Sequence, residues 1–118
     1  MGGFLNPPGT VVSTGGGAAT LGTRLAYASP SGVVAAAPAG FNSGVGRLLV
    51  TLSADTTWTA LTAGADGQLL EVKIVAGNFT LTLPQADFGG VGDIGLGLNN
   101  GILLYYDSTA AKWEVTAP

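Results

Sequence analysis

Cysteine and histidine are both missing from this sequence of 118 residues. Without cysteine there is no disulfide framework and no thiolate metal site. Without histidine there is no Ser-His-Asp triad, and the commonest general base and metal ligand are gone. A zinc site would have to be built from carboxylates alone, against that metal's preference. Charge is scarce too: charged residues make up 9% of the chain, where a soluble domain usually carries about 25%. Arg24, Arg47, Lys73 and Lys112 are the only basic residues, and they are scattered. Nucleic-acid binding needs clustered Lys and Arg to displace counterions, so it is not expected. No apolar run approaches the ~20 residues of a membrane-spanning helix. The opening "MGGFLNPPG" lacks the basic start and apolar core of a signal peptide, and Asn6 stands where myristoylation wants Ser or Thr.

What is present is apolar surface. Hydrophobic residues are 47% of the chain and glycine adds 20 positions. A chain of this length makes one domain, with or without an arm, and leaves much of its surface outward. With so few charges to solvate that surface, the composition predicts burial against other chains.

Residues 1–46 use mainly Gly, Ala, Ser, Thr, Val and Pro, and Pro30 and Pro38 interrupt any helix the alanines might begin. This part is expected to be an extended arm that orders along a partner, a disordered tail being the alternative reading of the same composition. Its pegs are Phe4, Leu5, Val11, Val12, Leu21, Leu25, Tyr27 and Phe41.

Residues 47–118 are expected to form a β domain. "RLLVTL" at 47–52 places Leu48, Val50 and Leu52 on one face, and "TTWTAL" follows at 56–61. "GQLLEVKIV" at 67–75 sets Leu70, Val72 and Ile74 against Leu69, Glu71, Lys73 and Val75. "FTLTL" at 79–83 alternates Phe79, Leu81 and Leu83 inward with Thr80 and Thr82 outward. The short "AGN" link between these two predicts a hairpin. Residues 85–101 are glycine-rich loop, with a short strand possible around Leu96 and Leu98. "ILLYY" at 102–106 is apolar on both sides, which predicts cover on both faces. "DSTAA" turns the chain, and "KWEVT" returns with Trp113 and Val115 on one side. No helix is expected after residue 47. The sum is an all-β fold, a small antiparallel sandwich or barrel of about six to eight strands, carrying an extended N-terminal arm.

The acids do not promise catalysis. Asp55, Asp66 and Asp107 stand where turns favour Asp, because its carboxylate binds nearby backbone amides. Glu71 with Lys73, and Lys112 with Glu114, share solvated strand faces. A glycosidase would need two carboxylates facing across a groove, with Asp87 and Asp93 as the pair to watch. "GVGDIG" at 90–95 has the spacing of a dinucleotide fingerprint, but neither a preceding buried strand nor a following helix. "STGGGAATLGT" lacks the lysine of a phosphate loop. No cofactor is therefore expected. Trp58, Tyr105, Tyr106 and Trp113 are read as core and interface residues rather than a sugar platform.

The text "DGQLLEVKIVAGNFTLTLP", followed by Gly101 to Asp107 and Lys112 to Val115, resembles small β domains of tailed-bacteriophage virion proteins. The likeness spans roughly residues 55–116, and no functional residue comes with it. The resemblance implies a non-enzymatic capsid decoration (cement) protein, a homotrimer seated on the major capsid protein where capsomers meet. It implies an arm that reaches across neighbours, and a virion location reached from the host cytoplasm. The alternative is a receptor- or glycan-binding module of a tail or head fibre, but no repeat or coiled coil supplies a shaft. The interface is expected to use the arm pegs together with Ile102, Leu104, Tyr105 and Tyr106.

Overall fold

A computed structural model describes residues 22–42, 44–59, 61–89 and 92–117. Among the described residues, nine strands and one short helix follow in chain order: β1 (Thr23–Ser29), β2 (Gly32–Val34), β3 (Val45–Leu52), β4 (Thr56–Trp58), β5 (Leu69–Ala76), β6 (Leu81–Leu83), α1 (Gln85–Phe88), β7 (Ile94–Leu96), β8 (Gly101–Asp107) and β9 (Lys112–Ala117). They make two sheets, ordered β1-β3-β5-β8-β9 and β2-β4-β6-β7. The fold is all-β, as the patterning predicts.

The pairing is not purely antiparallel. β1 with β3, β3 with β5, β2 with β4 and β4 with β6 are parallel. The other pairs, β5 with β8, β6 with β7 and β8 with β9, are antiparallel. Parallel neighbours need a crossover between them. Here the crossover is a strand of the opposite sheet: the chain runs along the five-stranded sheet, bends, runs along the four-stranded sheet, and returns one strand further on. Three such turns stack as β1–β2, β3–β4 and β5–β6. Thr23 lies beside Val45 and Thr56 beside Leu81, so a turn takes 22 to 25 residues.

The expected hairpin over 67–83 is therefore a corner. β5 and β6 belong to different sheets. Phe79 lies outside β6 and is 40% exposed, whereas Leu81 and Leu83 are buried as expected. Gly77 makes the bend with φ 93°, and a Cβ there would stand 2.0 Å from the carbonyl oxygen of Leu52. Just before it, Val50 pairs with Ile74 but Thr51 with Ala76, so Val75 is an extra residue in β5 and turns outward. The corner is stapled to its neighbour: the Thr80 N–H donates to Asp55 Oδ1 at 2.9 Å, and the Thr56 N–H to the Thr80 carbonyl at 2.9 Å.

Part of the expected arm lies in the sheets. β1 and β2 continue the stack that β3 and β4 belong to, so described residues from Thr23 onward, ahead of residue 47, already take part in the sheets. Residues 1–21 lie outside the described residues.

β7 reverses the direction, β8 crosses back to lie antiparallel to β5, and the β8–β9 hairpin closes the larger sheet as expected. The glycine-rich loop also holds α1, a single helical turn that the sequence does not announce. Its first N–H, on Gln85, donates to Asp93 Oδ1 at 2.9 Å, and Phe88 drops into the core.

The core fills the space between the sheets. Leu48, Val50, Leu52, Leu70, Val72, Ile74 and Leu104 line the larger sheet's inner face, and Trp58, Leu81, Leu83 and Leu96 come from the smaller one. Both tryptophans are 1% exposed. Their indole N–H groups are satisfied: Trp58 Nε1 donates to Ser29 Oγ at 3.1 Å and Trp113 Nε1 to the Thr62 carbonyl at 3.0 Å. That pairing removes the penalty of burying a polar donor.

Candidate functional site

Among the described residues, the outward face of the larger sheet and the sheet ends at β1 and β2 can engage another molecule.

Strand alternation builds the first. In β3, β5 and β8 the even-numbered apolar residues point into the core, so the odd-numbered ones point out. Arg47, Leu49, Leu69, Glu71, Lys73, Leu103 and Tyr105 are all half-buried on that face. The register sets Leu69 beside Tyr105, Glu71 beside Leu103 and Leu49 beside Lys73. Apolar and charged side chains thus interleave. Arg47 Nε donates to Glu71 Oε1 at 2.6 Å, while Arg24 lies across from Arg47 on the other side. Tyr105 donates its hydroxyl to Glu114 Oε1 at 3.3 Å. The Glu114 charge is the main reason the Tyr105 phenol is held above its usual 10.0.

The second feature follows from topology. β1 ends the five-stranded sheet and β2 ends the four-stranded one, on the same side of the stack. Among the described residues no strand pairs with the far side of either. Such an edge is a row of backbone donors and acceptors ready for a further strand. Val33 in β2 is 72% exposed there.

The expected interface residues separate into three groups. Ile102, Leu104 and Tyr106 face inward, 7%, 0% and 6% exposed. They are committed to the protein's own core, a correction to placing them at an interface: "ILLYY" is continuous because only alternate members are needed inside. Tyr105 faces out, with Leu103 beside it in the same strand. Leu25, Tyr27 and Phe41 are half-buried against the core, Tyr27 with its ring 5.9 Å from Trp58 and Phe41 6.4 Å from Trp113. Phe4, Leu5, Val11, Val12 and Leu21 lie outside the described residues. Sequence reasoning set Leu69 on the face opposite Leu70, Val72 and Ile74 but named neither it nor Leu49 as an interface residue; the signal for both was the alternation itself.

The acids serve the backbone. Asp66 Oδ1 accepts the Ser108 N–H at 3.0 Å, which lowers the Asp66 pKa from 3.8. Asp107 Oδ1 accepts the N–H groups of Thr109 and Ala110 at 2.9 and 3.3 Å, closing the β8–β9 turn. With Asp55 on Thr80 and Asp93 on Gln85, four carboxylates each hold a loop. Among the described residues no three acids cluster as a metal site would require. A shallow recess of about 350 Å³ lies between Ile94–Leu96 and residues 99–102, and no ionisable side chain lines it. No described helix is long and apolar enough to cross a membrane.

Compared with protein-family models, with curated proteins and with solved structures, the chain matches none.

Proposed function

We propose that this chain is a non-enzymatic structural protein of a virion, decorating a tailed-phage capsid as a homotrimer and bridging capsomers of the major capsid protein. The observation that carries an assembly role is the outward face of the larger sheet. Leu49, Leu69, Leu103 and Tyr105 stand there among a few charges, on a rigid sheet whose inner face is already full. Apolar area removed from water contributes roughly 25 cal/mol per Å². Copies joined as a trimer then bind a repeating lattice with avidity, because later contacts are intramolecular. Separating two capsomers would require breaking several such contacts together.

A non-catalytic reading is supported by the acids, four of which accept backbone N–H groups rather than face one another. The capsid as partner and the virion surface as location are supported by the sequence resemblance alone. A glycan-binding module would want an exposed aromatic platform, and both tryptophans are interior.

The test is direct. Purified protein mixed with DNA-free capsid shells should bind them and raise their rupture temperature. Light scattering of the free protein should give the mass of a trimer. A monomer that leaves the rupture temperature unchanged overturns the proposal.

A further inference from the structure

The charges on the outward face of the larger sheet are sorted by strand. Among the described residues, Arg24 on β1, Arg47 on β3 and Lys73 on β5 occupy one half, with Glu71 on β5 as the acid between them. Arg24 is exposed and stands directly beside Arg47 in the register. Like charges so placed repel, and Glu71 answers only Arg47, through the 2.6 Å bond. Among the described residues no carboxylate bridges to Arg24 or Lys73. The other half has the opposite sign. Asp107 on β8 and Glu114 on β9 lie there, with Tyr105 beside them. Glu114 chiefly, with Asp107 adding, holds the Tyr105 phenol above 10.0, as a negative potential does. Lys112 on β9 is turned toward α1, where its Nζ donates to the Ala86 carbonyl at 3.1 Å. A chain with four basic residues has thus set three of them on one half of one face. Apolar side chains accompany both halves: Leu49 on β3, and Leu103 with Tyr105 on β8, all half-buried.

We infer that this face binds a second copy of the chain, the β1–β3 half of one copy against the β8–β9 half of the next. The two signs decide the geometry. Rotation about an axis parallel to the strands brings β1 of one copy toward β9 of its neighbour. Arg24 and Arg47 then meet Asp107 and Glu114, and Leu49 meets Leu103. Rotation about an in-plane axis across the strands would lay Arg24 on Arg24, a like-charge contact that complementary interfaces avoid. A polyanion is the wrong occupant, because the β8–β9 half repels it. Each copy offers one positive and one negative half, so contacts can continue around the axis until the ring closes, as heterologous interfaces do. The surface assigned here rests on the homotrimer proposed above and supplies its contacts.

Charge reversal on the full chain tests it. Sedimentation velocity reads the self-association constant, and far-ultraviolet circular dichroism checks the fold. Arg24→Glu and Glu114→Lys, each alone, set like charges against each other and should weaken association about tenfold or more. The two together restore an opposite pair with the polarity reversed, and should bring association back to within about threefold of the wild type. Raising salt from about 0.1 M to about 1 M shortens the screening length from about 10 Å to about 3 Å and should weaken the wild-type assembly. Either single reversal leaving association unchanged overturns the inference, as does a folded double variant that associates no more tightly than the singles. A wild type that stays monomeric overturns the homotrimer as well, whereas a trimer indifferent to the reversals overturns the charged contact alone.

Discussion

Replacing Gly77 by alanine tests whether the stacked turns are as closely apposed as the fold requires. Gly77 has φ 93°, and its added Cβ would stand 2.0 Å from the Leu52 carbonyl oxygen, 2.9 Å from the carbonyl carbon and 3.2 Å from the nitrogen. Those are backbone atoms at the end of β3, held by the ladder and unable to swing aside. Placing a side chain in the left-handed region costs about 1–2 kcal/mol. Forcing packed elements apart adds about 1–3 kcal/mol. The sum, about 2–5 kcal/mol, is a large part of the roughly 5–15 kcal/mol that holds a domain folded. Gly67 supplies the control. Its φ is 81° and a Cβ there meets nothing within 4 Å. Gly67→Ala should therefore show the conformational cost alone. Urea unfolding of both variants, followed by tryptophan fluorescence, measures the difference, expected at about 1–3 kcal/mol. If the two variants unfold within about 0.5 kcal/mol of each other, β3 and the Gly77 corner are not in backbone contact and the stacking is wrong.

Other perturbations address other parts of the molecule. Trp58→Phe keeps the ring contact with Tyr27 but strips the bond to Ser29 Oγ, and urea titration should show a loss of about 1–2 kcal/mol. The Asp66 carboxyl is lowered below 3.8 by the Ser108 N–H, so it stabilises the fold above that pH and ceases to as pH falls through its folded value. Melting temperatures of the wild type and Asp66→Asn should thus differ at pH 5 and converge toward pH 2. The Tyr105 phenol is raised above 10.0 chiefly by Glu114. Its contribution to stability is complete below that pH and is lost as pH climbs through the raised value. Ultraviolet titration of Glu114→Gln should show one tyrosine ionising at lower pH than in the wild type. Leu49→Glu should leave urea stability within about 1 kcal/mol, because the side chain faces outward, yet abolish the proposed trimer, with light scattering as the measurement.

Much of this fold is legible where period-two alternation has one buried side. Leu48, Val50 and Leu52, then Leu70, Val72 and Ile74, announce β3 and β5 with the correct inner face. The closing hairpin is legible because "DSTAA" provides a turn and Asp107 caps it locally. The β5–β6 corner is misread because a short glycine-containing link looks the same whether the next strand folds back or passes to another sheet. Only the distant partners decide, and β5 finds them in β3 and β8. β1 and β2 hide for a different reason. An edge strand half open to solvent can be built from Ala, Ser and Gly, which give little periodicity. Asp66 as a turn acid is readable, but its bond to Ser108, 42 residues away, belongs to tertiary structure. Of the candidate surface, Tyr105 is readable, while the outward role of Leu49 and Leu69 emerges only once the inner face is known to be complete.

The winding makes this protein a ruler. Each circuit of 22 to 25 residues advances the body by a strand spacing, about 4.8 Å. The antiparallel strands β7, β8 and β9 follow the last parallel turn, so whole circuits can be inserted ahead of them. Duplicating residues 45–68 in place would lengthen the body by that one increment and leave the closing strands unaltered. Height can thus be set by counting circuits, without redesigning any other part.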